Sequence, residues 1–396
     1  MHPSEEIYRE KSNKLMGKTI VVGITGSIAA VDSFHLIREL VKNGAKVVPV
    51  MTQAATRLSA PDAIEFASGM KPITEITGQC EHIKYLGSPS DADLFLIYPC
   101  TANTISKMAN GIDDSPVTTM ATVALGSRTP VAIAPAMHGY MMENPAVEKN
   151  LETLAEWGVN IIGPHIDRER AKVASVNEVV AWAIRLLSKD DLIGKKILII
   201  GGRSEEPMDS MRLITNRSTG LMAVSLAQSA FERGAEVELW MGASSVPMPD
   251  YIPVRRYGTV DDLIGLLKDI DHDVVIVPAA LADFAPESVF DGKIPSEKGF
   301  SMKLRSVPKV LPLIREKCSY VIGYKAESGL SGDRLIARAR ERLEQYDLVA
   351  VVANDVDAAG KTSASMHLVT KNDVRNITGT KPVISEGILN FVAENL

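Results

Sequence analysis

GKTIVVGITGSIAAVDSFHLIRELVKNGAKVVPVMTQ, residues 17–53, decides how the first half of the chain folds. An apolar strand (19–25) runs into a glycine-containing loop. An amphipathic segment follows, with Ile28, Val31, Phe34, Ile37, Leu40 and Val41 near helical spacing, and Gly44 ends it. KVVPVMT is a second strand. The pattern recurs 177 residues later: GKKILIIGGRSEEP opens at Gly194, and STGLMAVSLAQSAFERGAEVELWMG runs from Ser218 to Gly242. Each copy opens a strand–helix–strand unit, so the chain is expected to carry two nucleotide-binding domains.

Outward from these stretches the alternation continues. Strands are expected at 92–101, 130–136 and 159–164, with helices at 54–69, 103–110, 116–126, 144–157 and 177–188. In the second half, strands are expected in KKILIIGG, ELWMG, HDVVIVPAALADF (272–284), SYVIGYKAE (319–327) and DLVAVVAND (347–355). Helices there fall near 218–233, 260–270, 306–317 and 333–345. Continuous apolar strands between helices imply α/β architecture, two doubly wound Rossmann-like domains with parallel sheets covered on both faces. Residues 285–304 lack a period and read as a long functional loop or a small β-excursion. The boundary falls in SKDDLIGKK, 188–196, giving domains of 1–190 and 191–396.

Composition narrows the function classes. A net charge of -6 argues against a nucleic-acid binder, whose footprint is basic. No apolar run reaches the roughly 18 residues of a membrane helix, and residues 1–18 lack the apolar core of a secretory signal. That segment is expected to be a frayed or helical lead-in. Three cysteines, Cys80, Cys100 and Cys318, form no CxxC pair, which points to a reducing, cytoplasmic setting without disulfides or structural zinc.

Three loops of the first half converge at strand ends, where α/β sheets bind ligands. They are GITGSIAA, PCTANT (99–104) and PAMHGYM (135–141). Gly26 lets a backbone approach, and Ser27 can cap a helix whose free N–H groups attract phosphate. Together with His82 in an HI pair, these motifs resemble the flavin-dependent decarboxylases of aminoalkyl thiols, specifically the phosphopantothenoylcysteine decarboxylases, over about residues 17–187. The resemblance implies FMN held by Gly26, Ser27, Ile28, Thr52, Thr101, Ala102, Asn103 and Thr104, with Ala136 against the flavin ring and His82 as the essential base. The implied chemistry oxidises a cysteinyl thiol to a thioaldehyde, releases CO₂ to leave an enethiolate, and returns the hydride, with no net redox change. The chain departs from the family twice. His138 stands where the family usually has an asparagine that grips the substrate carboxylate. The flap GPHIDRERAKVAS (163–175) lacks the cysteine that protonates the enethiolate, leaving Arg170 and Lys172 as grips and His165 as donor among the alternatives.

GGRSEEPMDSMRLITNRSTGLMA, Gly201 to Ala223, resembles the nucleotide-dependent phosphopantothenate–cysteine ligases. By that resemblance Arg212 and Asn216 are functional, and Lys293 neutralises an activated intermediate. Ala279, Asp283, Lys293, Val307, Pro308, Lys309, Val310, Tyr324 and Arg340 contact the nucleotide, and Asp283 also meets Mg²⁺. The implied reaction activates a carboxylate at the α-phosphorus of CTP, then lets cysteine displace the nucleotide monophosphate. Thr219-Gly220-Leu221-Met222-Ala223 replaces the family's Ser-Gly-Lys-Met-Gly. Glu344 stands where the late helix is expected to carry its second basic residue, which leaves ATP as the alternative nucleotide. No GxxxxGK[ST] is present, so a Walker-type ATPase is excluded.

The two halves fit one pathway: a coenzyme A biosynthetic bifunctional enzyme that acts on 4′-phosphopantothenate, cysteine and CTP, with FMN and Mg²⁺. The resemblance further implies a homo-oligomer, up to a dodecamer, with flavin sites shared between subunits. A flavin-holding regulatory subunit is the alternative, opposed by the presence of His82, Asn216 and Lys293. An NAD-dependent dehydrogenase is opposed by the missing GxGxxG.

Overall fold

The structure is a computed structural model describing residues 2–167, 170–295, 299–330, 332–355 and 363–396, with side chains of 165–167, 170 and 171 outside the description. It divides into two compact units, Met1–Lys189 and Asp190–Leu396.

In the first unit, β1 (Thr19–Ile24), β2 (Lys46–Met51), β3 (Leu94–Cys100), β4 (Val131–Pro135) and β5 (Asn160–Ile161) form a parallel sheet in the order β2-β1-β3-β4-β5. Alternate side chains of β1 enter two separate cores. Ile20, Val22 and Ile24 join one, and Val21 joins the other. This is why the strand reads as an unbroken apolar run. The expected first helix begins later than its apolar spacing suggests. Residues Ile28–Asp32 form a 3₁₀ turn and the α-helix spans Ser33–Lys42. Ile37, Leu40 and Val41 are buried, whereas Ile28 and Val31 face solvent at 76% and 48% exposure. The lead-in is docked: Leu15 is fully buried and donates its N–H to Asn43 O at 2.9 Å.

In the second unit, β6 (Lys196–Gly201), β7 (Glu236–Met241), β8 (Val254–Arg256), β9 (Val274–Val277), β10 (Val321–Glu327), β11 (Ala350–Asp355), β12 (Ser363–Val369) and β13 (Val374–Thr380) form one sheet, ordered β8-β7-β6-β9-β10-β11-β12-β13. The sheet is mixed, because β12 and β13 join antiparallel. The doubly wound core is thus extended by two antiparallel strands that the sequence reading did not include. Half-exposed strands with alternating polar residues, such as SASMHLV, leave no long apolar run to notice. The helix Lys381–Asn395 follows β13. Residues Phe284–Pro286 and Leu304–Ser306 pair antiparallel, so the ends of the aperiodic stretch form a small β-excursion, one of the two readings left open.

The internal duplication extends to a buttress. At the N-terminal edge of the first sheet, the Asp93 carboxylate accepts the Thr19 N–H at 2.8 Å. In the second, Asp273 accepts the Lys196 N–H at 2.8 Å. At the opposite edge, Gly201 lets the helix Leu221–Glu232 (α-helix after the loop) close on β6. A Cβ at Gly201 would lie 2.0 Å from the Ala223 Cβ. That atom belongs to the helix framework and cannot swing away. Gly201→Ala should therefore destabilise the second unit by about 2–3 kcal/mol, as overpacking does. Urea denaturation followed by tryptophan fluorescence of the buried Trp240 checks this; an unchanged midpoint would refute the contact.

Candidate active sites

In the first unit the loops after β1, β2, β3 and β4 are stitched together by hydrogen bonds. Thr25 donates its Oγ1–H to Pro99 O at 2.7 Å and accepts the Thr101 N–H at 3.1 Å. Thr52 donates its N–H to Ile24 O at 3.0 Å, and Ala136 donates to Cys100 O at 2.8 Å. Thr25 was missed in the sequence, although a threonine directly after a strand signals such a clasp. Ser27 caps the 3₁₀ turn, accepting from Ala29 N at 3.4 Å. Gly26 has a packing reason of its own: a Cβ there would lie 2.5 Å from Ala54 Cβ.

The PCTANT expectation divides. Thr101 caps the helix Ala102–Ala109 and accepts from Thr104 N at 3.4 Å. Ala102 and Thr104 are buried, and the Thr104 hydroxyl lies 3.2 Å from that of Thr101. Asn103 is exposed. Thr101 and Asn103 therefore offer side chains to a ligand, while Ala102 and Thr104 offer backbone. The exposed Ile28 beside this donor set suits one face of a planar ring, and the polar loops suit a phosphate.

His82 belongs to a separate helix, Glu81–Leu86, joined to the helix Pro116–Ser127 where Ser127 Oγ donates to Leu86 O at 2.5 Å. Its Nδ1 is buried and has no hydrogen-bond partner. An imidazole nitrogen in that condition suits a base better than a surface residue. His138 caps the one-turn helix Gly139–Met142. Its Nδ1 accepts from Tyr140 N at 3.4 Å, which assigns the proton to Nε2. Nε2 is left free to donate to a carboxylate. The side chains of His165 and Arg170 lie outside the described residues. Lys172 is exposed.

The second unit holds a cleft of about 820 Å³, within the usual range for small-molecule sites. Asn216, Ala279, Asp283, Pro308, Lys309, Val310 and Tyr324 all line it, as expected. Asn216 Nδ2 donates to Ala280 O at 3.2 Å and Leu281 O at 2.9 Å, fixing the loop after β9. Asp283 forms an ion pair with Lys309. Among the described residues no cluster of three or more metal-ligating side chains exists. An Mg²⁺ here would take most of its ligands from substrate phosphates and water, its usual habit. Tyr324 has its hydroxyl buried without a partner, and burial pushes its pKa well above the tyrosine range.

Four of the expected residues lie outside that lining. Arg340 is exposed and outside the cleft lining; Arg338 and Arg342, one turn apart on the helix Gly332–Gln345, line it instead. Positions 338 and 342 share a helix face that position 340 cannot reach. Val307 is buried, and its N–H serves Asp283 O at 3.0 Å. Lys293 is exposed and outside the lining. Arg212 is also outside the lining. It donates to the fully buried Asp209 carboxylate at 2.6 Å and to Ile294 O at 3.0 Å, so it anchors the Lys293 loop.

Asp209 is the hub of that anchor. Burial alone would raise its pKa. N–H donors from Ile294, Met211 and Arg212, with the Arg212 guanidinium, hold it down to about 2. A carboxylate with a depressed folded-state pKa contributes stability above its unfolded value and loses it as pH falls through the folded one. Anchoring of the 293–295 loop should persist down to about pH 4 and fade toward pH 2, the interval between an ordinary aspartate and Asp209. In Asp209→Asn this acid dependence should be flattened. Hydrogen exchange at Ile294 against pH reads it; identical profiles for both proteins would refute the role.

Both halves of the chain match known families. Residues 8–188 match the family described as Flavoprotein, and residues 192–396 match the DNA/pantothenate metabolism flavoprotein C-terminal domain. The coenzyme A biosynthesis bifunctional protein CoaBC of Thermococcus kodakarensis is 42% identical over 406 residues, covering 100% of each chain. The chain belongs to the family of coenzyme A biosynthesis bifunctional proteins. Its member from Methanocaldococcus jannaschii is 36% identical, covering 99% of this chain and 97% of its own, and that from Bacillus subtilis is 31% identical over 87% and 88%. Among solved structures, the C-terminal domain of a coenzyme A biosynthesis bifunctional protein CoaBC aligns at 26% identity and TM-score 0.44, covering 52% of this chain and 97% of that one. A structure titled PPC decarboxylase mutant C175S aligns at 24% identity and TM-score 0.37, covering 43% and 96%. Family membership makes the chain a bifunctional enzyme with a flavoprotein decarboxylase half and a ligase half. No helix among the described residues is long and apolar enough to cross a membrane.

Proposed function

We propose that residues 191–396 join 4′-phosphopantothenate to cysteine at the expense of CTP with Mg²⁺, and that residues 1–190 decarboxylate the product with FMN to 4′-phosphopantetheine. The observation that carries this reading is the full-length similarity to a bifunctional relative, combined with a cation-rich cleft in a chain of net charge -6.

In the ligase half, the substrate carboxylate attacks the α-phosphorus of the triphosphate and pyrophosphate leaves. The cysteine amine then attacks the acyl carbon and expels the nucleotide monophosphate. Arg338, Arg342 and Lys309 supply the positive field for charge developing on the phosphates. Mg²⁺ would neutralise those phosphates beside Asp283. Asn216, braced on the 280–281 carbonyls, presents its amide at the cleft wall to orient the acyl intermediate. Lys293, on the loop that Arg212 and Asp209 anchor, neutralises the activated intermediate in this reading.

In the decarboxylase half, the backbone N–H groups after β1 and β3 and the hydroxyls of Ser27 and Thr101 would hold the FMN phosphate and ribityl chain. FMN, when bound, supplies the reversible two-electron chemistry that makes the carboxylate a leaving group. His82 takes the thiol proton at its unpartnered Nδ1. His138 donates its Nε2–H to the carboxylate that departs. The homo-oligomeric assembly and the cytoplasmic setting belong to the same reading.

His82→Asn should lower CO₂ release by roughly 10²–10⁴-fold, the usual worth of a general base, with amide formation within twofold of wild type. Arg342→Ala should weaken CTP use by about tenfold or more, the worth of a charge-assisted hydrogen bond, while Arg340→Ala leaves it within twofold. The deciding experiment incubates the full chain with 4′-phosphopantothenate, cysteine, Mg²⁺ and either CTP or ATP, with mass spectrometry of products and absorbance of released flavin. A colourless protein that consumes neither triphosphate would refute the reading.

A further inference from the structure

Lys381 is 6% exposed, yet it stands on the wall of the ligase cleft. Its position follows from the topology. The strand β13 runs antiparallel to β12, which runs antiparallel to β11. The end of β13 therefore returns to the edge where the parallel strands end, and the first residue of the next helix is delivered to the site. Its stem is packed away while its ammonium opens onto the cleft, the arrangement of a long cation whose apolar part is buried. Among the described residues no ion pair or hydrogen bond to the Lys381 side chain is present. Burial accordingly pushes its pKa below the ordinary lysine range.

The charges of the cleft show why no protein group answers it. Six basic and three acidic side chains line the cavity. The three acids are taken: Asp283 by Lys309, Glu327 by Lys325 at 2.8 Å, and Glu341 by Arg338 at 2.9 Å. Arg217, Arg342 and Lys381 are left without an acid, and Arg342 spends a donor on Tyr324 O at 3.2 Å. The helix Leu221–Glu232 also starts in this cavity. Gly220 precedes it at φ 80° and has no side chain to cap it, Thr219 Oγ1 accepts the Leu221 N–H at 3.3 Å, and Leu221, Met222 and Ala223 line the wall. A helix N-terminus is positive. An ammonium without a protein partner and a helix start facing the same cavity are two positive groups for one anion.

We propose that Lys381 binds a phosphate group of a ligand in the ligase cleft, the source being either the polyphosphate of the nucleotide or the phosphate carried by the acid substrate. The assignment rests on the nucleotide-dependent ligase reading. It makes a specific demand: the residue is there for the ligand and its charge contributes nothing to the fold. Replacing Lys381 by methionine keeps the apolar stem and removes a charge that has no partner within the protein.

The test uses the full-length chain and its K381M and K381R variants. Thermal unfolding is measured without ligand, and titration calorimetry is run with Mg·CTP and separately with 4′-phosphopantothenate. K381M should melt at or above the wild-type temperature and bind at least one of the two ligands about tenfold or more weakly, with K381R recovering part of the loss. Weakening confined to CTP assigns the anion to the nucleotide; weakening confined to phosphopantothenate assigns it to the acid's phosphate. Unchanged affinity for both ligands, or a K381M melting temperature several degrees lower, would overturn the proposal. Wild-type protein that bound neither ligand would instead remove the ligase reading beneath it.

Discussion

A carboxylate just before β3 in the first unit and just before β9 in the second accepts the leading N–H of that unit's first strand. The contacts are Asp93 to Thr19 and Asp273 to Lys196. They set the register of the two strands whose far ends carry the site loops. A slip of one residue would displace those loops by about 3.3 Å and reverse the faces of every buried side chain. With the register held, Thr25 can reach both Pro99 and Thr101, and the loops after β6 and β9 can share Asn216. The chemistry at one edge of each sheet thus depends on a charge-assisted bond at the other.

The second unit concentrates charge where the whole chain is mildly acidic. Its cleft is lined by more bases than acids, and the acids present are already paired. The surplus positive field is suited to polyphosphate, and part of it is buried, which strengthens each contact. The anchored loop adds a second level of control. Arg212, expected to meet substrate, holds the Lys293 loop through Asp209 and Ile294. A residue can matter to a reaction by fixing where another one stands.

The corrections have a common physical cause. Arg340 and Arg342 both read as basic residues of a late helix, and which one meets the cleft depends on rotation about the helix axis. Ala102 and Thr104 sit inside a motif, but their side chains turn into the core. Ile28 continues an apolar spacing and yet lies at the surface, because the chain makes a 3₁₀ turn before the helix proper. Spacing along a chain specifies a face; it does not say which neighbour that face will meet.

By itself the amino-acid order determined the two α/β units, the parallel strands of their centres, the boundary near residue 190, and the loops that carry Gly26, Thr101, Asn216 and Asp283. These features rest on local physics: apolar periodicity, glycine at turns, and caps at helix starts. Tertiary structure alone decided the antiparallel extension β12–β13, the clasp of Thr25, the exchange of Arg340 for Arg338 and Arg342, and the arrival of Lys381 at the cleft. Each of these depends on contacts between segments tens of residues apart, where the partner of a side chain is set by packing and not by its neighbours in the chain.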